Sequence, residues 1–479
     1  MPKNILIFSD GTGQVGGLRP DQRLSNVYKM YWAMRPGPDS PIRAAEQICY
    51  YDAGIGSDET GRFSYQRLKN LIASALGAGI DDNVIDCYEK IISYYEPGDR
   101  VILIGFSRGA YTARAVANVM NLCGVPTATP DGGLPPRGGA RLRKIASDAV
   151  LYVYNHGNGY PRGQAPYFEQ REELGRRFRQ KYRSHVPDAE TDVQGNAQPT
   201  FIGVFDTVAA LGNKALGWAL FGIGCLLCTM VWVAWNADWP WVFWLAPLAA
   251  LLGVVALWVE LLVSQFKYFS PDPERRLRFR NPRDWPMILK HGHFAFWNRA
   301  NYDKWLDGEV RHARHAISID ERRKSFPRVR WATKTEFQKT AGRDPVWLKQ
   351  VWFAGCHSDV GGSYPEPESR LSDIALDWMM DEMKECLPEL QVNEAMLHRN
   401  LDPLGLQHEE TYFFRFGPIR IKWPAEPRAI HKDAELHPSV LERLAADAAP
   451  QLGEMKPYRP EALRNHSRAK RYFEGGAGE

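Results

Sequence analysis

The chain has 479 residues, 44% of them apolar, and a formal net charge of +4. That length predicts two or three domains, or one α/β core carrying insertions, and so small a positive excess implies no nucleic-acid partner. Seven cysteines, an odd number without a regular framework, fit a reducing compartment. Cys225 and Cys228 form a C-x-x-C, but inside an apolar run, where they read as small apolar residues. No basic and apolar leader opens the chain, so no secretory signal peptide is expected.

A strand is predicted at residues 4–8, followed by Ser9-Asp10-Gly11-Thr12-Gly13-Gln-Val-Gly16. G-x-G-x-x-G after a strand matches the dinucleotide fingerprint, whose helix opens within the glycines and whose next strand ends on an acid about 20 residues on. Here Pro20 intervenes, the helix is predicted only at 26–34 after Ser25, and the following strand, 47–51, reaches its acid at Asp52. The better reading is a loop whose backbone N–H groups, at Gly11 and Thr12, help to bind an oxyanion while Asp10 braces it. No cofactor is expected. Residues 53–57 form a second glycine-rich loop, and 62–79 and 81–95 read as helices, the latter capped by Asp81 or Asp82. Pro97-Gly-Asp99 is a turn into the next strand.

That strand is Val101-Ile-Leu-Ile, and it runs into Gly105-Phe-Ser107-Arg108-Gly109 and an alanine-rich helix. Strand, G-x-S-x-G, helix is the nucleophile elbow of an α/β-hydrolase. The turn is so tight that only glycine fits two before and two after the serine. The backbone N–H of Arg108 supplies an oxyanion donor, a type of group worth about 3 kcal/mol. Residues 126–139 are rich in proline and glycine. Residues 140–190 are helical in pattern and rich in arginine, and are expected to cap the mouth of the site, with their charges a solvated face.

Residues 201–205 predict another buried strand, ending in Asp206. In the hydrolase order an acid follows the serine and a histidine comes last. Residues 351–354 are apolar and lead into Gly-Cys-His357-Ser-Asp359-Val-Gly-Gly, so His357 is the candidate base. Imidazole titrates near neutrality, so it can take the serine proton and return it to the leaving group, while a buried carboxylate fixes its tautomer. Asp206 could instead cap a helix ahead of Thr207. Asp359 is the fallback acid, but two residues from His357 it reads better as a loop brace. His291, His293, His312 and His315 lie in polar sequence and read as surface or structural. The H-x-x-H at 312 and 315 lacks a supporting ligand pattern, so no metal is expected.

The strings FSDGTGQ, YDAGIGS, GFSRGAYTAR, GVFDTVAALG, HAISIDERRKSFPRVRW, VWFAGCHSDVGGSY and LHPSVLER occur here in order. Together they resemble the α/β-hydrolase domain family of the first class of type VI secretion phospholipase effectors. The resemblance implies a Ser–Asp–His triad at Ser107, Asp206 and His357, supported by Gly105 and Gly109, and hydrolysis of esters, phospholipids foremost.

Between these motifs lies a departure. Residues 215–235 carry no charge and could span about 30 Å of hydrocarbon. A polar turn at 236–240 precedes a second uncharged run, 241–259. Tryptophans 218, 232, 235, 239, 241 and 244 gather mainly at the turn, as in an aromatic belt. Lys214 precedes the pair, and Lys267, Arg275, Arg276, Arg278 and Arg280 follow it, which puts both ends in the cytoplasm. A helical hairpin buried in a soluble core is the alternative.

The expected protein is therefore α/β: a mostly parallel, hydrolase-like sheet flanked by helices (1–213 and 266–445) with an inserted transmembrane hairpin (214–265) and a basic tail (446–479). The tail, above all 464–471, reads as solvated. A helix at 371–386 is expected beneath the histidine loop, and a strand-like run at 411–422. The expected activity is a serine hydrolase anchored in the inner membrane, its catalytic domain cytoplasmic and its substrate a lipid ester. The alternatives are a type VI-secreted antibacterial effector, with secretion-machinery or immunity partners, and an inactive membrane-tethered scaffold.

Overall fold

The computed structural model describes residues 2–11, 13, 14, 16, 17, 23–54, 80–161, 163–186, 194–208, 214–275, 277–295, 306–332, 334–410, 412–416, 419–451 and 453–474. The predicted helix at 62–79, the YDAGIGS loop beyond Gly54, and Thr12 lie outside them. Six strands form one sheet: β1 (Asn4–Ser9), β2 (Gln47–Asp52), β3 (Arg100–Phe106), β4 (Pro199–Phe205), β5 (His312–Ser318) and β6 (Leu348–Phe353). Their order is β2-β1-β3-β4-β5-β6 and every pairing is parallel. The sheet grows first to one side of β1 and then to the other. The crevice outside the carboxyl ends of β1 and β3 is therefore the topological switch point, where open α/β sheets bind ligands.

Alternation along the strands sends Ile5, Ile7, Val101, Leu103, Ile202 and Val204 to one face. There α2 (Ile80–Tyr94) and α3 (Arg108–Cys123) cover them. Leu6, Phe8, Ile102, Ile104, Phe106 and Phe353 point the other way, under α1 (Asn26–Met34) and α9 (Arg370–Cys386). Helix α1 starts where its cap predicts, with the Ser25 hydroxyl accepting from the Tyr28 N–H at 3.0 Å. A sheet covered on both faces explains the unbroken apolar strands.

Some expectations need refining. For His315, read as surface or structural, the structural reading holds, because the stretch His312–Ser318 is a central strand. Arg314 is fully buried in it, held by Glu382 and by the carbonyls of Ala313 and Val346. Of the cap expected over 140–190, two helices lie away from Ser107. Helix α4 (Gly139–Ser147) packs on α2, and α5 (Tyr167–Tyr182) packs with Gly175 and Arg179 on the Leu122 carbonyl, at the end of α3 far from Ser107. The tail is no solvated appendage either. Tyr458, Leu463, His466 and Ala469 are buried, and the apolar ones pack on Ile317 and Trp352. The inward positions 463, 466 and 469 recur every third residue and are masked in the sequence by the basic residues between them.

Helices α6 (Lys214–Asn236) and α7 (Val242–Gln265) leave the sheet after β4 and pack on each other, with Trp235 edge-on to Trp244 at 5.8 Å. Among the described residues one helix, Phe243–Gln265, is long and apolar enough to cross a membrane, with a mean hydropathy of 2.2; Phe221–Asn236 is a shorter apolar helix. All seven cysteines are free thiols.

Candidate active site

Between β3 and α3, Ser107 alone makes the turn, at φ 56° and ψ −116°. L-residues rarely adopt such a conformation, and it persists only where the surroundings impose it. The surroundings here are two glycines. A Cβ on Gly105 would lie 2.4 Å from the Gly109 carbonyl oxygen, and one on Gly109 would lie 2.0 Å from that of Ser9. The Ser107 N–H donates to the Phe205 carbonyl at 3.1 Å, which ties the elbow to the end of β4.

The next residue after Phe205 is Asp206, itself at φ 38°. Its Oδ2 lies 2.5 Å from His357 Nδ1. Residues His357–Gly361 form a one-turn helix, α8, after β6, and this helix presses flat on the elbow. The Phe106 ring stacks on His357 at 4.7 Å, and a Cβ on Gly361 would meet that ring at 1.9 Å. Phe326 closes the imidazole edge at 5.4 Å. His357 Nε2 is buried and has no hydrogen-bond partner among the described residues. A ring held at Nδ1 by a carboxylate and stacked on Phe106 of the elbow has the groups of a general base, though Ser107 makes no hydrogen bond to its Nε2.

Asp206 has a further partner that no local pattern announced. Arg428, in the loop Trp423-Pro-Ala-Glu-Pro-Arg428, donates from both Nη atoms to its two carboxylate oxygens, the second at 2.9 Å, and the Ser318 N–H adds a bond at 3.0 Å. Burial opposes ionisation of Asp206, but the Arg428 guanidinium and His357 hold it well below the usual carboxylate range. The only sequence signal for Arg428 is an arginine directly after a proline.

The remaining predicted residues fall around this centre. Asp10 accepts from the Gly11 N–H at 2.7 Å, from Tyr51 Oη at 2.7 Å and from Ser25 Oγ. Burial raises its carboxyl to about 6. Gly11 lies directly against the serine, since a Cβ there would be 3.4 Å from Ser107 Cβ. Its N–H, expected to face an oxyanion, is instead engaged by Asp10. Arg108 opens α3, its guanidinium lowered to about 10 by burial. Asp359 is turned away from His357: it accepts from the Cys356 N–H at 2.9 Å and the His408 N–H at 3.0 Å, and meets His408 Nδ1 at 2.7 Å. His315 is buried beside the site, its Nε2 accepting from the Thr207 N–H at 3.3 Å. Three residues apart on a strand, His312 and His315 point to opposite faces, which rules out a shared ion. No cluster of metal-ligating side chains occurs among the described residues.

The profile of the family described as "T6SS, Phospholipase effector Tle1-like, catalytic domain" matches residues 3–234 and 280–382. An uncharacterised protein of Saccharomyces cerevisiae is 36% identical over 130 residues, 26% of this chain and 18% of that protein. An uncharacterised protein from Pseudomonas aeruginosa, known from its crystal structure, is similar at 17% identity and a TM-score of 0.35, over 83% of this chain and 47% of that one. A Tle1 effector bound to the VgrG spike of the type 6 secretion system is similar at 15% identity and a TM-score of 0.28, over 78% and 53%. The chain thus spans about half the length of these solved relatives and under a fifth of the curated one.

Proposed function

We propose, for a chain that belongs to the Tle1-like catalytic-domain family of type VI secretion phospholipase effectors, a membrane-anchored lipid ester hydrolase with Ser107 as nucleophile. The Ser107 hydroxyl attacks the ester carbonyl and His357 Nε2 takes its proton. The oxygen anion that develops is held by the backbone N–H of Arg108. His357 returns the proton to the leaving alcohol, and the acyl-enzyme is then hydrolysed by water activated at the same nitrogen. Asp206 keeps Nδ1 protonated and stabilises the imidazolium. The observation that carries this reading is the 2.5 Å bond between Asp206 and His357 beside the strained elbow.

Helices α6 and α7 form the anchor, with both ends and the catalytic domain on the cytoplasmic side, and substrate comes from the adjoining leaflet. Family membership favours a second reading, a delivered antibacterial effector; toxicity on periplasmic expression, relieved by a neighbouring immunity gene, would establish it. For the chemistry the test is a fluorophosphonate probe. Labelling should fall on Ser107, and Ser107→Ala should cost about a million-fold in turnover of a phospholipid panel. Retained turnover by that variant would end the assignment.

A further inference from the structure

We infer that residues 266–294, immediately after α7, form a platform that lies on an anionic lipid surface. The unit is small, and it is tied to the body of the protein where Arg177 donates to the Ser270 carbonyl at 2.8 Å and His293 Nε2 to the His156 carbonyl at 2.7 Å. Phe266–Tyr268 pairs antiparallel with Gly292–Phe294, and the Ala295 N–H donates to the Gln265 carbonyl at 2.8 Å, so the platform is zipped to the last residue of the apolar helix. A short helix, Trp285–Lys290, lies within it.

Its outer side chains are apolar where a soluble surface would be polar. Leu289 is 72% exposed, Phe279 51%, Trp285 50% and Phe294 41%. They form one patch. Trp285 and Leu289 are one helical turn apart, Trp285 Nε1 donates to the Phe279 carbonyl at 2.8 Å, and the Phe266 ring touches those of Phe279 and Phe294 at 5.8 and 5.2 Å. Contiguous exposed apolar surface of this kind marks an interaction site.

The charges choose the partner. Residues 266–294 hold seven Lys and Arg against three Asp and Glu, an excess equal to that of the whole chain. Asp284, one of the three acids, is buried and bound to Arg275 at 2.8 Å. Arg278, Arg280, Arg283 and Lys290 are exposed and form no ion pair among the described residues. Aromatic and leucine side chains interleaved with unpaired cations suit a bilayer interface rich in anionic headgroups, where each basic residue near the surface strengthens partitioning about fivefold. Continuity with α7 places the patch at headgroup level.

The inference rests on the anchor reading, and its test keeps the two apart. The full chain would be reconstituted into vesicles of ether-linked phosphatidylcholine, with or without about a third ether-linked phosphatidylglycerol, lipids with no acyl ester to cleave. Hydrogen exchange of 277–294 should be several-fold slower in the anionic vesicles. Arg278→Gln/Arg280→Gln/Arg283→Gln together, or high salt, should remove that difference. Equal exchange in both vesicle types would overturn the platform, including the case in which the patch receives a protein instead. Should the triple variant fold poorly, the salt dependence of the unmodified chain decides alone. Failure of the anchor reads differently: the chain would leave either vesicle at alkaline pH.

Discussion

Asp206 keeps its charge in a place where burial alone would remove it, and Arg428 is the reason. Replacing one partner of a buried ion pair strands the other, a loss of about 3 kcal/mol. Arg428→Gln leaves Asp206, among the described residues, with His357 and the Ser318 N–H. We expect a lower melting temperature and slower turnover of a soluble ester, with Arg428→Lys, which keeps the charge but not the fork, falling between. Wild-type melting and rate in the glutamine variant would show that the pair is dispensable. Two acids near the site respond to pH in opposite senses. Asp206 is lowered when folded, so its contribution is present above about 4 and is lost as pH falls. Asp10 is raised to about 6, so its contribution is complete below about 4 and is lost as pH rises through 6. Asp10→Asn still accepts from Gly11 and can donate to Ser25 and Tyr51. Its melting temperature should therefore decline less than the wild type's between pH 5 and 7.5. Parallel curves would show that Asp10 does not titrate there.

At the scale of elements, the elbow is a packing problem solved by missing side chains. Gly109 sits where β1 and α3 touch, with no room for a methyl group beside the Ser9 carbonyl. Gly109→Ala must push α3 off β1 and should destabilise the fold by about 3 kcal/mol or more. Gly138→Ala, with open space around its Cβ and extended backbone, should change stability by less than about 0.5 kcal/mol. Denaturant melts of both would check the contrast, and equal losses would contradict it. Strand β5 shows how charge can hide an element. His312-Ala-Arg-His looks like surface, yet Arg314 enters the core because Glu382 on α9 meets it there. Partners supplied from 68 residues away leave no mark on the local pattern.

For the molecule as a whole, the pair α6–α7 separates a soluble reading from an anchored one. The chain should stay in the membrane pellet after alkaline carbonate extraction; release into the supernatant would refute the anchor. The Gly-x-Ser-x-Gly turn, the four strands with continuous apolar runs, the Ser25 helix start and the two uncharged stretches were all legible from the sequence alone. Each depends on sterics or solvation acting over a few neighbouring residues, so the information is local. The partner of His357 was legible only in part: chain order and the closeness of Asp359 to His357 favoured Asp206, with Asp359 kept as the fallback. The fold parts them: β4 and β6 end at one rim of the sheet, while the turn of α8 hands Asp359 to His408. Arg428, the burial of Arg314 and the packed tail were likewise settled only in three dimensions. Charge compensation and shared burial join residues far apart along the chain, and nothing near either partner encodes the meeting.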